Sequence, residues 1–102
     1  MAKILTGSQV NEFHKNGFLP AFPVLPVDQA VQLRANLESF EAENDGALKG
    51  SLRFKNHLLF KWLSDLIRSP RILDAVEDII GPDILVWSTD WWIKESNSPQ
   101  FV

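Results

Sequence analysis

Ala30, Leu33, Leu37 and Phe40 recur at i, i+3, i+7 and i+10, a spacing that sets them on one stripe of a helix. Pro26 opens that helix, Asp28 supplies a negative charge in its first turn, and Asn44, Asp45 and Gly46 end it. A shorter helix is expected before it. Thr6 and Gln9 have capping-box spacing, Val10, Phe13 and His14 share a face, and Gly17 is placed to stop the turn. Residues 18–22 then read as an edge strand or an irregular extended stretch, because Pro20 removes a ladder donor. A loop containing Gly50 leads through 53–57 to a third helix marked by Leu59, Trp62, Leu63, Leu66 and Ile67. Ser69 is the expected cap and Pro70 the first residue of a fourth, whose apolar face is Ile72, Leu73, Val76, Ile79 and Ile80. Gly81-Pro82 stops it.

Residues 83–94 follow a different rule. They are rich in β-branched and aromatic side chains and have no helical period. Read as a strand, Leu85, Trp87, Thr89, Trp91 and Ile93 point one way, and this face should pack under the helices. Ile84, Val86, Ser88, Asp90, Trp92 and Lys94 point the other way, beginning apolar and turning polar. Residues 95–99 form a loop, and Phe101-Val102 reads as the start of a returning strand. A strand apolar on both faces needs neighbours on both edges, so the pattern describes an α+β chain with an unfinished sheet.

Composition narrows the picture. The 102 residues suffice for one domain, with 45% hydrophobic and 23% charged residues, values ordinary for a soluble globular protein. A net charge of -3 without a basic stripe argues against a nucleic-acid partner. No apolar run approaches a membrane span, and the first residues lack the apolar core of a signal peptide. There is no cysteine, which excludes disulfides, thiolate nucleophiles and Cys-ligated zinc and fits a reducing compartment. The expected location is cytoplasmic.

Three stretches carry a family resemblance. They are Asn56-His-Leu-Leu-Phe-Lys-Trp62, the run from Ser69-Pro-Arg-Ile-Leu-Asp74 to Gly81-Pro-Asp83, and Ile84-Leu-Val-Trp-Ser-Thr-Asp-Trp-Trp-Ile-Lys-Glu95. With the opening from Leu5 to Phe18, their order and spacing resemble the phytanoyl-CoA dioxygenase family over nearly the whole chain. The resemblance implies one domain over 1–102, comprising the N-terminal helices and first strands of a double-stranded β-helix (jelly-roll) fold, incomplete in this chain. It implies a parent oxygenase that uses Fe(II) and 2-oxoglutarate to hydroxylate a small-molecule or acyl substrate. It also implies that the chain ends before the His-x-Asp pair that begins the iron site, so no residue here is expected to ligate metal or to be catalytic. A facial triad needs two imidazoles and a carboxylate in convergence. His14 and His57 are more than forty residues apart, and neither starts a His-x-Asp pair.

Within this frame Lys55 and Asp90 resemble cosubstrate-contacting positions. Lys55 could hold a carboxylate as a point charge, or be a solvated cation beside Arg53 and Lys61. Asp90 is an unusual neighbour for an anionic cosubstrate and reads equally as a surface carboxylate or a partner of Lys94. His57, Trp92 and Lys94 are the candidate substrate contacts, against the plainer readings of a capping or surface histidine for His57 and a solvated strand end for Lys94. Trp87 and Trp91 share the apolar face and are expected in the core. Two rival readings stay open: a non-enzymatic interaction module whose Trp-rich strand joins a partner's sheet, and a degenerate scaffold without metal. Strand edges without partners predict poor solubility or association of the isolated chain, with its oligomeric state open.

Overall fold

The computed structural model describes residues 2–44, 46 and 49–99. Four α-helices follow one another: α1 (Gly7–Asn16), α2 (Val27–Glu43), α3 (Lys61–Ile67) and α4 (Pro70–Ile80). Between α2 and α3 lie two short 3-10 turns, Gly50–Arg53 and Asn56–Leu58.

Local signals set the ends of α1. Gln9 N–H donates to the Thr6 hydroxyl at 3.1 Å, and Thr6 N–H donates back to Gln9 Oε1 at 2.9 Å, closing the expected capping box. Gly17 takes a left-handed φ of 80° and donates its N–H to the Phe13 carbonyl, ending the helix where glycine alone meets no steric penalty. Pro70 stands at the start of α4 and Gly81, at φ 88°, at its end. Ser69 holds the cap position of α4, but its side chain makes no capping bond.

The expected buried stripe on α2 is only partly buried. Leu33, Leu37 and Phe40 are half-buried, Ala30 is exposed, and no residue of the helix is fully enclosed. Its support comes from Arg34 pairing with Glu38 at 2.8 Å and Gln32 with Asn36 at 3.2 Å, each one turn apart, and from Phe40 meeting Phe60 edge-on at 4.8 Å.

The segment leading into α1 meets α4 through a polar clasp. The Asp78 carboxylate on α4 accepts the backbone N–H groups of Lys3 (2.7 Å), Ile4 (2.8 Å) and Leu5 (2.8 Å). Desolvation pushes the Asp78 carboxyl up, but the N–H groups of Leu5, Lys3 and Ile4 with the Lys3 charge outweigh it and hold it below its ordinary value. Lys3 Nζ pairs with Glu77 and lies 3.6 Å from Asp74; the Glu77 bond, against some desolvation, raises the Lys3 ammonium above its usual range. Leu5 is thereby tucked in at 5% exposure.

The α+β jelly-roll expectation is overturned. The described residues are helical and contain no strand and no sheet. Residues 83–94 are neither helix nor strand, and among the described residues their backbone bonds to another segment at two places, both on the turn at 53–56. The alternating pattern determines where side chains point, whereas a ladder needs a second extended run, and no such run lies beside this one among the described residues. Residues 18–22 are irregular, the non-strand alternative foreseen from Pro20. Phe101 and Val102, read as a returning strand, lie outside the described residues, as does Asp45.

The core is correspondingly small: among the described residues Leu5, Leu63 and Ala75 are its buried apolar members. The accessible surface is 7887 Å², against about 5,800 Å² for a compact monomer of this mass. The radius of gyration is 15.8 Å, where a compact chain of this length has about 13 Å. Large apolar residues exposed along the chain contribute to the excess, most fully at the start of the extended arm, where Leu85 is 96% and Trp87 86% exposed. The expectation that this face packs under the helices therefore holds only for its second half, with Trp91 and Ile93 half-buried. Among the described residues no helix is long and apolar enough to cross a membrane.

Candidate functional site

The candidate residues converge where the turn at 53–57 grips the extended arm. Lys55 lies between the two 3-10 turns at φ 54° and ψ 39°, a left-handed conformation that costs a non-glycine residue about 1 kcal/mol. This reversal lets the backbone on both sides of Lys55 face the arm. Trp91 N–H donates to the Arg53 carbonyl at 2.9 Å, and Asn56 N–H reaches the Thr89 carbonyl at 3.4 Å. Arg53 Nε adds a bond to the Trp91 carbonyl at 3.2 Å.

Asn56 anchors the turn. It is fully buried, its Nδ2 donates to the Leu52 carbonyl, and its own carbonyl receives the N–H groups of Leu59 and Phe60 at the approach to α3. Its Oδ1 is buried with no hydrogen-bond partner. Beside it, His57 N–H donates to the Thr89 hydroxyl at 3.0 Å, and His57 Nδ1 lies 2.9 Å from the same oxygen. The Thr89 hydroxyl thus holds both the backbone and the ring of His57.

Aromatic rings hold the cations of the turn. Lys55 Nζ stands 5.2 Å from the Trp87 ring centroid, and the Arg53 guanidinium 4.7 Å from that of Trp92 and 5.7 Å from that of Phe54. A second run of rings, Phe60 stacked on Trp62 at 5.4 Å and Trp62 edge-on to Trp91 at 6.4 Å, ties the arm to α3.

Of the five candidates, three gather at this junction: Lys55 over Trp87, His57 on Thr89, and Trp92 beneath Arg53. Asp90 is exposed and accepts from the Ser88 hydroxyl, making no bond to Lys94. Lys94 turns to the Glu95 and Ser98 carbonyls and closes the following turn. It also lines a groove of about 480 Å³ against α2, together with Trp62, Trp91 and Ile93. The face expected to line a barrel cavity thus encloses none. The groove takes residues from both sides of the arm.

Four residues that organise the junction were absent from the sequence-based candidates: Arg53, Asn56, Trp87 and Thr89. Trp87 was read as core and is exposed. The partners of Arg53, Asn56 and Thr89 across the junction lie more than thirty residues away, so no local spacing announces them. The left-handed Lys55 is equally silent, because lysine carries no preference for that conformation.

The groups implied by the family resemblance fit this junction unequally. Among the described residues no set of three or more His, Asp or Glu side chains could hold a metal ion, so the residues present do not make an iron site. Lys55 and Arg53 offer charges suited to a dicarboxylate, whereas Asp90 is itself an anion. No family model matches the chain, and no curated protein or solved structure matches it either.

Proposed function

We propose that this chain is the N-terminal segment of a cytoplasmic Fe(II)/2-oxoglutarate-dependent dioxygenase of the phytanoyl-CoA dioxygenase type, acting on a small-molecule or acyl substrate. In this reading the iron and its cosubstrate supply the oxidising chemistry, and the metal ligands belong to residues other than those described here. The contribution of this chain is a cationic turn, Arg53 and Lys55, fixed against an aromatic arm. The observation that carries the reading is the clamp itself: bonds from Arg53, Asn56 and His57 to Thr89 and Trp91 hold Lys55 and His57 at one junction. Asn56, His57, Thr89 and Trp91 fall within two of the stretches on which the resemblance rests, and Arg53 and Lys55 lie just before the first of them.

The test is an NMR titration of the chain with 2-oxoglutarate and, separately, with succinate. Shifts centred on Lys55 and His57, lost in Lys55→Gly, support a carboxylate-holding role. Glycine keeps the left-handed turn without strain while removing the charge. Shifts spread evenly over all surface cations, or unchanged in the variant, count against it.

A second reading is favoured by a separate observation. Leu85 and Trp87 are almost fully exposed on an arm bonded along one edge, which suits a module that pairs with another extended chain.

A further inference from the structure

Among the described residues the arm has one occupied edge and one open edge, and residue parity tells them apart. In an extended chain the N–H and C=O of one residue point to the same edge, and successive residues alternate. Every bond to the turn at 53–57 uses Thr89 or Trp91, both odd-numbered. The backbone groups of Ser88, Asp90, Trp92 and Lys94 point to the opposite edge and have no backbone partner among the described residues. A row of such groups is a template for another strand.

The geometry points to a second copy of this chain as its occupant, paired antiparallel about a two-fold axis at Trp92. This inference rests on the second reading above. Charge selects both occupant and register. With Trp92 opposite Trp92, Asp90 of each copy stands opposite Lys94 of the other, on the same face and within the open row. A shift centred on Asp90 would set two aspartates face to face, and a shift by one residue leaves both charges without an opposite. Among the described residues, exposed Asp90 accepts from its neighbour Ser88 and Lys94 donates to the Glu95 and Ser98 carbonyls, and neither charge has an ion-pair partner. Trp92, 58% exposed beneath Arg53, then loses its exposed surface to its own symmetry mate.

Sedimentation of the full chain from micromolar to millimolar concentration tests this, together with the swaps Asp90→Lys and Lys94→Asp. The wild-type chain should form dimers. Each swap alone puts like charges opposite each other twice per dimer and should weaken association about tenfold. An equimolar mixture of the two variants restores both opposite-charge pairs in a heterodimer and should recover the wild-type affinity. A chain that stays monomeric overturns the inference, and so does association that the swaps leave unchanged or that mixing fails to restore. Unprotected exchange of the Trp91 amide would instead break the reading beneath it, since no one-edged arm would then exist.

Discussion

The N-terminal clasp and the extended arm use similar means to opposite ends. At the clasp, Asp78 takes up three consecutive backbone N–H groups, Lys3 answers Glu77 and Asp74, and Leu5 is buried by the closure. At the arm, two backbone bonds and a few cation–ring contacts hold one edge, and Leu85 and Trp87 remain in water. Both regions join segments distant in sequence. The clasp satisfies its own polar groups and buries its own apolar residue, whereas the arm does neither. A segment completed by its own chain therefore sits beside one built for completion by another.

Substitutions in the small core should separate the regions most strongly. Leu63→Ala removes one of the few buried side chains and should cost about 2–5 kcal/mol, enough to unfold a marginal domain. Leu85→Ala, the same chemistry on the arm, should stay within about 0.5 kcal/mol. Urea titration of both variants checks the contrast, and equal losses would mean the arm is packed in solution.

Asn56→Ala should cost about 1–3 kcal/mol, measured the same way. It frees the Leu52 carbonyl, although removing the unpartnered Oδ1 offsets part of that loss. Tryptophan emission should redshift as the arm leaves the turn. A variant as stable as wild type would show that the junction does not depend on this side chain. Thr6→Ala, which breaks only the capping box of α1, should cost about 1 kcal/mol and leave the arm's spectrum unchanged.

Acidification tests the clasp through Asp78. The Asp78 carboxyl is held below its ordinary 3.8, so its contribution to folding is present above that pH and is lost as pH falls through the lower folded value. The Leu5 amide resonance should therefore hold its position on acidification to pH 3.8 and move only below it. Movement at higher pH would show that the three N–H bonds are not maintained in solution.

What could be read from sequence divides along the same line. Thr6 with Gln9, Gly17, Pro70 and Gly81 bound their helices as expected, because each signal acts within a turn of itself. The alternation of 83–94 was equally visible, but a sheet is a relation between segments, and alternation in one carries no information about a neighbour. Burial failed for the same reason: Trp87 looks like core, yet it is exposed, with the Lys55 ammonium rather than an apolar layer over its ring. Lys55 and His57, candidates by resemblance, and Trp92, a candidate by its place on the polar face of 83–94, gather at one junction. Asn56 and Thr89, which make that junction, went unnoticed because a buried amide and a hydroxyl have no signature until their partners are known.

Residue-resolved amide exchange along 86–95 tests the one-edged arm most directly. In dilute solution the account predicts protection at Trp91 and Asn56, with rapid exchange at Ser88, Asp90, Trp92 and Lys94. Uniformly fast exchange through the arm, or protection of the even-numbered amides in a demonstrably monomeric sample, would contradict it.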